Sequence, residues 1–170
     1  MTIQKQHVLM GMLLGGFLLL SGSANAQTWT TIASACQPGS NYAGDYHFDA
    51  ATLNFASGIT GQIKSRCNVT NPKDSGVPGW TTMVVGYQDP DGTGTNYQVD
   101  AQLYRVSKST GGYGLIKTFD SSAFSGTGTQ SHSVTFTHTF DFTNYAYWIE
   151  LTLTRGDTVS NPGVWFVALK

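Results

Sequence analysis

The sequence predicts an all-β fold, a two-sheet antiparallel β-sandwich that is jelly-roll-like and has about eight to ten strands. Three observations lead to this prediction. Several short stretches alternate apolar and polar residues, the period of two expected when one sheet face is buried and the other is wet. Glycine-rich or proline-bearing turns separate these stretches at intervals of roughly 8 to 15 residues. No 3.6-residue periodicity of useful length occurs in residues 27–170.

Residues 1–26 are predicted to be a secretory signal peptide. Lys5 supplies a positive charge, residues 8–20 form an apolar run of about 13 residues, and a small-residue pattern ends at Ala26, where we expect cleavage. A membrane-spanning helix needs roughly 20 apolar residues, so this run is too short to be one. We therefore expect a secreted protein, extracellular or periplasmic, with residues 27–170 as a single β-sandwich domain and no transmembrane segment in the mature chain.

The low and balanced charge excludes two classes of partner. The whole chain has a formal net charge of −1, and only 11% of its residues are charged. Nucleic acids and anionic membrane surfaces both require a basic patch, and the sequence contains no run of like charges. We therefore expect no nucleic-acid partner.

Two cysteines, Cys36 and Cys67, follow the predicted signal peptide. In an oxidising compartment they would pair. The bridge would close a loop of about 31 residues and stabilise the fold by roughly 3 to 4 kcal/mol. Two isolated cysteines lack the CxxC spacing of a metal site, so a structural disulfide is the favoured interpretation.

The first half of the mature chain predicts short strands joined by loops. Residues 27–35 favour an edge strand, and residues 37–44 form a loop by composition. Residues 45–55 alternate as two short strands or one kinked strand. Residues 62–67 continue as a strand, and residues 68–79 are the longest irregular connection.

Residues 80–106 predict a β-hairpin. Residues 81–87 are rich in apolar residues, and residues 89–96 (DPDGTGTN) have the composition of a tight turn. In the second arm, one set of residues alternates with polar neighbours and is predicted to face the core: Tyr97, Val99, Ala101 and Leu103. The hairpin is the clearest indication of a sheet with one buried face.

The second half predicts four further strands. Residues 115–119 would place Leu115, Lys117 and Phe119 on one face, and residues 132–140 alternate over their whole length. Residues 145–155 also alternate. Residues 163–169 are apolar in both alternating sets of positions and predict a strand that is covered on both sides. We expect the first and last segments to pair in one sheet, as jelly rolls often arrange them.

The turn at residues 89–96 raises the question of calcium. Asp89, Asp91, Thr93, Gly94 and Asp100 partly match the ligand spacing of a calcium loop. Asp100 belongs to a strand pattern that would carry it roughly 13 Å beyond the turn, so only Asp89 and Asp91 remain as metal candidates. A simple Asp- and Gly-bearing turn explains the same residues, and no other cofactor is expected.

Catalysis finds little support in the sequence. There is no GxSxG or HExxH motif, and His47, His132 and His138 form no recognisable site. Glycoside hydrolysis would need two suitably spaced carboxylates, and the sequence does not single out such a pair. We therefore predict that the protein is not an enzyme, with a secreted hydrolase as the third of three functional alternatives.

Outward-facing aromatic residues carry the functional prediction. Trp148 and Glu150 fall on the polar parity of one strand, and Tyr104 falls on the polar parity of another. Sugar rings stack on aromatic faces through their C–H groups, and their hydroxyls need polar partners. Tyr104, Trp148 and Glu150 are therefore predicted to bind a ligand, with a polysaccharide or cell-surface glycan as the partner. A loop that covers Trp148 would explain it equally well.

The first functional prediction is thus a secreted, non-catalytic binding module for glycans. The alternative is a self-associating structural or matrix subunit that uses exposed edge strands. The triplet Asn68-Val69-Thr70 also matches a glycosylation acceptor, in a segment predicted to be a loop. The overall composition resembles that of small secreted bacterial proteins and of carbohydrate-binding jelly rolls, although no motif assigns the chain to a family.

Overall fold

The computed structural model describes residues 27–72 and 76–170, so the predicted signal peptide lies outside the described residues. The described chain contains eleven strands and three short 3-10 helices, the latter at Ala33–Ala35, Ser40–Tyr42 and Ser121–Ala123. The strands are, in chain order, β1 (Trp29–Ile32), β2 (Gln37–Pro38), β3 (Tyr46–Asp49), β4 (Thr52–Phe55), β5 (Gly61–Val69), β6 (Thr82–Gln88), β7 (Tyr97–Ser107), β8 (Tyr113–Asp120), β9 (Thr129–Thr135), β10 (Tyr145–Arg155) and β11 (Gly163–Leu169).

Two antiparallel sheets make up the fold, which confirms the predicted β-sandwich. The six-stranded sheet has the order β3-β4-β11-β6-β9, with β1 also paired to β11, and the five-stranded sheet has the order β2-β5-β10-β7-β8. The pairing of β1 with β11 joins the two ends of the described chain in one sheet, as predicted. The strand count of eleven is slightly above the predicted range, because several strands have only two to four residues.

The core lies between the inward faces of the two sheets. Strand β7 buries alternate residues from Tyr97 to Leu103, in the predicted parity. Strands β10 and β6 also contribute large buried side chains, and the buried Trp80 packs with its ring centroid 4.9 Å from that of Phe140. The residues between the buried ones on β7 and β10 therefore face outward and are available for function.

The prediction that residues 80–106 form a β-hairpin is wrong, because its two strands do not pair with each other. Strand β6 belongs to the six-stranded sheet and β7 to the five-stranded sheet, so the two arms face each other across the core. The connecting residues 89–96 have the turn composition of a hairpin loop, but they are numerous enough to span the ~10 Å between packed sheets. Turn residues predict a reversal of the chain without specifying which strand becomes the partner.

Two other strands differ from their predicted form. In β8 the pairing with β7 shifts between Leu103 and Tyr104, so Leu115 lies opposite Tyr104 while Lys117 lies opposite Leu103. This β-bulge turns Leu115 outward, so Leu115 does not share a face with the buried Phe119 as predicted. Strand β9 ends at Thr135, and the chain leaves the sheet where the prediction continued the strand to Phe140.

Strand β5 is longer than predicted and carries two features of interest. It extends to Val69, so Asn68 lies in a strand rather than in the predicted loop. It also carries Cys67, which forms the predicted disulfide with Cys36. The bridge joins β5 to the segment just before β2. In the described part of the chain, no helix has the length and apolar character to cross a membrane.

Candidate ligand-binding site

The outward face of the five-stranded sheet brings the three predicted binding residues together. Tyr104 on β7 lies directly opposite Trp148 on β10, and Glu150, two residues further along β10, lies opposite Arg66 on β5. On its other side Trp148 faces Asn68 of β5. Tyr104, Trp148 and Glu150 therefore occupy neighbouring positions on two adjacent strands.

Three aromatic rings form a cluster on this face. The rings of Tyr104 and Trp148 stack with their centroids 5.0 Å apart and their planes 13° from parallel. The ring of Tyr113 on β8 lies 6.2 Å from that of Tyr104 and 6.4 Å from that of Trp148. Tyr113 is 74% exposed, and Leu115 beside it is 53% exposed. We call Tyr104, Tyr113 and Trp148 the aromatic cluster.

Stacking covers one face of each ring of the central pair. The other face of Tyr104 is toward Tyr113 on β8. Because strand β10 lies between β5 and β7, the face of Trp148 that Tyr104 leaves free is on the side of Asn68 and Arg66. The indole Nε1 of Trp148 is shielded from solvent and has no hydrogen-bond acceptor among the described residues. A buried N–H without an acceptor is costly, and a polar ligand group that reached it would remove that cost.

Glu150 is held by two cations of strand β5. Its Oε1 lies 3.3 Å from Nζ of Lys64, and its Oε2 accepts a hydrogen bond of 3.1 Å from Nε of Arg66. Although Glu150 points outward, it is only 8% exposed, because neighbouring side chains cover it. The Arg66 side chain is 69% exposed. Arg66, rather than Glu150, presents its charge to solvent.

Arg66 lines several shallow grooves, among them an aromatic groove and a loop groove. The aromatic groove, with a volume of about 400 Å³, is lined by Arg66, Tyr104, Tyr113, Trp148 and Glu150. The loop groove, with a volume of about 490 Å³, is lined by Gln37, Pro38, Gly39, Ser40, Asn41, Tyr42, Lys64 and Arg66. Together they form a surface that crosses the sheet from β8 to β2, roughly 19 Å for four strand spacings.

The two metal candidates, Asp89 and Asp91, lie in the loop that connects β6 in one sheet to β7 in the other, and they accept hydrogen bonds there. Asp89 is fully buried, and its carboxylate accepts hydrogen bonds from the Ser121 hydroxyl and from the backbone N–H of Asp91. Asp91 Oδ2 accepts from the backbone N–H groups of Asn96 at 2.9 Å and Tyr97 at 3.3 Å. Burial is the main cause that raises the pKa of Asp89 to about 6.

This donor set does not fit calcium, which takes six to eight oxygen ligands. Three of the four carboxylate oxygens of Asp89 and Asp91 already accept hydrogen bonds, and only Oδ1 of Asp91 is buried without a partner. Within residues 27–72 and 76–170, no group of three or more His, Cys, Asp and Glu side chains could hold a metal ion. The calcium site stays a prediction that the hydrogen bonds of this loop do not favour.

A carboxylate pair lies on the same outward face, away from the aromatic cluster. Asp100 and Asp120 are opposite each other on β7 and β8. Burial first, and then the charge of Asp120, raise the pKa of Asp100 to about 6, with Lys64 acting against them. Burial also opposes ionisation of Asp120, but hydrogen bonds from Gln98 and Ser122 outweigh it and lower that pKa. Neither carboxylate lines the aromatic groove or the loop groove.

The sequence pointed to the central aromatic pair but missed its surroundings. Tyr113 follows Gly111 and Gly112, which are typical of a turn and give no sign of a strand. The β-bulge that turns Leu115 outward cannot be read from the alternation of residues either. Arg66 and Lys64 were identifiable, because they alternate with the inward-facing Ser65 and Cys67 of the same strand. That alternation places both cations on the face that carries Trp148.

Several solved structures that resemble the chain are carbohydrate-binding modules. One is the CBM36-1 domain of a multidomain xylanase from the hindgut metagenome of Trinervitermes trinervoides. It is 11% identical to this chain, with a TM-score of 0.50, and the match covers 85% of this chain and 97% of that domain. A CBM36 module in complex with calcium and xylotriose is 12% identical, with a TM-score of 0.47 and coverage of 84% and 99%. The xylan-binding module CBM15 is 9% identical, with a TM-score of 0.47 and coverage of 85% and 96%.

No protein-family model and no curated protein sequence matches the chain. At 11% identity, the resemblance to the CBM36-1 domain shows that the two share a β-sandwich fold. The ligand has to be argued from the residues of this chain.

Proposed function

We propose that this protein is a secreted carbohydrate-binding module whose glycan ligand lies on the aromatic cluster. The observation that carries the proposal is the convergence of Tyr104, Tyr113 and Trp148 on one outward-facing surface, next to Arg66. Tyr113 is 74% exposed although it contacts both other rings, so the cluster presents an aromatic surface to solvent. The fold shared with the CBM36-1 domain supports carbohydrate binding. The disulfide between Cys36 and Cys67 supports secretion, because disulfides persist in oxidising compartments.

The chemistry of the surface suits a sugar chain. The apolar C–H face of a pyranose packs on Tyr113 and on the free face of Trp148, while its hydroxyls require donors and acceptors nearby. Polar side chains flank the rings: Asn68 lies beside Trp148, and Gln102 accepts a hydrogen bond of 2.8 Å from the Tyr104 hydroxyl. A shallow surface that crosses several strands suits a polymer better than a single small molecule.

In this proposal Glu150 has a positioning role. Both of its carboxylate oxygens are occupied by Lys64 and Arg66, so it orients the Arg66 side chain toward the groove. The ligand then meets the arginine and the aromatic rings. Calcium has no part in this surface, because Asp89 and Asp91 lie before the start of β7, roughly 23 Å of extended strand away from Tyr104.

A polysaccharide panel tests the proposal. Native affinity electrophoresis through gels that contain xylan, galactan, mannan, glucan or pectin should show retardation of the protein by at least one polymer. The double variant Tyr104→Ala/Trp148→Ala should migrate as it does without polysaccharide. Phe48→Ala, which removes a ring that is 39% exposed on the other sheet, should retain binding and serves as the matched control. Retardation that is identical in all three proteins would overturn the proposed site.

A further inference from the structure

We infer that the glycan bound by this surface carries carboxylate groups, and that Arg66 binds one of them. The inference rests on the proposed function and specifies its ligand class as an acidic, uronate-containing polysaccharide. Three features of the structure lead to it. Arg66 has unused hydrogen-bond donors, no described carboxylate lines the loop groove, and the disulfide fixes the strand β2 that lines this groove beside Arg66.

Arg66 has more donors than its protein partner uses. Glu150 accepts a hydrogen bond from Nε alone, and the two terminal nitrogens of Arg66 have no hydrogen-bond partner among the described residues. The side chain is 69% exposed and lines both the aromatic groove and the loop groove. Two terminal N–H donors in one plane match the two oxygens of a carboxylate, a geometry that a sugar hydroxyl does not exploit.

The charge that a ligand meets around Arg66 is positive. Among the described residues, Lys64 and Arg66 are the only charged ones that line the loop groove. Glu150 carries the nearest negative charge, but it is 8% exposed and already paired with both cations. The other two carboxylates of this outward face, Asp100 and Asp120, are half-buried on β7 and β8, at least two strand spacings from β5, or about 10 Å. The charge of Lys64 acts on Asp100, whereas Asp120 is one strand further away.

The groove beside Arg66 is held in place before any ligand binds. The disulfide between Cys36 and Cys67 fixes β2 to β5, and Gln37 lies opposite Arg66 in the resulting ladder. The chain then turns at Gly39, whose N–H donates to the carbonyl of Lys64 at 3.0 Å. Residues that are already ordered lose little conformational entropy when a ligand binds. Less of the binding energy from the contact with Arg66 is then offset by ordering the groove.

The test compares one polymer in two chemical forms. Polygalacturonate and the same polymer after carboxyl reduction differ in charge and keep the same backbone linkages. Isothermal titration at moderate salt should show the acidic form bound about tenfold more tightly or better, the difference expected for one charge-assisted hydrogen bond. The Arg66→Gln variant should bind the acidic form about tenfold more weakly and the reduced form as the unchanged protein does. Lys170→Gln, which removes an exposed cation outside the face, is the matched control.

The outcomes separate this inference from the proposed function. If both forms bind equally, or if Arg66→Gln leaves the preference for the acidic form intact, the acidic ligand class is wrong while a glycan site on the aromatic cluster stands. If dextran sulfate binds as tightly as polygalacturonate, the surface recognises polyanions in general and the assignment to carboxylates is overturned. If no polymer of the panel binds, the proposed function itself fails. Equal melting temperatures of Arg66→Gln and the unchanged protein would establish that the variant is folded.

Discussion

Tyr104 and Trp148 stack across neighbouring strands of the five-stranded sheet, with ring centroids 5.0 Å apart. They lie directly opposite each other on β7 and β10, and Tyr113 on β8 lies within 6.4 Å of both rings. Three strands thus contribute to one aromatic surface. The disulfide fixes the edge strand β2 of the same sheet to β5, so the stability of the fold and the shape of the binding surface depend on some of the same elements.

Removing the disulfide should destabilise the fold without unfolding it. Cys36 and Cys67 are separated by 31 positions, and a crosslink over such a loop stabilises a protein by roughly 3 to 4 kcal/mol. The Cys36→Ala/Cys67→Ala variant should show a correspondingly lower urea midpoint. The unchanged protein treated with a reductant should move to the same midpoint, and a midpoint that does not change would contradict the structural role of the bridge.

Asp100 should make the protein less stable as the pH rises from about 4 to 7. Burial, and then the charge of Asp120, raise its pKa from 3.8 to about 6, so in this range the folded state holds a proton that the unfolded state has released. Stability therefore falls as the carboxyl ionises. Asp100→Asn should be more stable than the unchanged protein by about 1 to 2 kcal/mol at pH 7, after allowance for solvent screening, and equal to it at pH 4.

Urea unfolding at four pH values across this range measures the effect. Asp49→Asn, a change at an exposed position at the end of β3, is the matched control and should keep the pH dependence of the unchanged protein. A constant difference between Asp100→Asn and the unchanged protein at every pH would show that the ionisation of Asp100 has no part in the stability.

Calcium should leave the thermal stability unchanged. The carboxylates of Asp89 and Asp91 accept hydrogen bonds from the Ser121 hydroxyl and from backbone N–H groups, and they lack the ligand number that calcium needs. Melting temperatures with millimolar calcium and with a chelator should therefore agree. Asp91→Ala should lower the free energy of unfolding by about 1 to 2 kcal/mol in both conditions, because two N–H groups lose their acceptor. A calcium-dependent rise in melting temperature that Asp91→Ala abolishes would establish the metal site instead.

The oligomeric state in solution distinguishes a self-associating structural subunit from a glycan-binding module. Strands β8 and β9 lie at sheet edges, and an unpaired edge is where a second copy would add. A glycan-binding module should sediment as a monomer over a hundredfold range of concentration. Association that strengthens with concentration and is lost in Leu115→Lys, a charge placed on the exposed face of β8, would favour the structural subunit.

The sequence predicted the faces of the sheets better than their pairing. Alternation in β7 and β10 placed Tyr104, Trp148 and Glu150 on outward faces, because a period of two is local and one face is buried. The contact of Tyr104 with Trp148 depends on the register of two strands distant in sequence, which no local pattern specifies. The same limit explains the wrong hairpin at residues 80–106, where a turn was recognised correctly and its strands were paired incorrectly.

The central claim is that a glycan lies on the aromatic cluster, and the indole Nε1–H signal of Trp148 tests it most directly. In proton–nitrogen NMR spectra, with that signal assigned through Trp148→Phe, titration of a bound oligosaccharide should shift it together with backbone signals of Arg66, Tyr104 and Tyr113. Signals of residues 89–96 should stay in place. Saturable binding that shifts residues elsewhere and leaves the Trp148 indole signal unmoved would contradict the account.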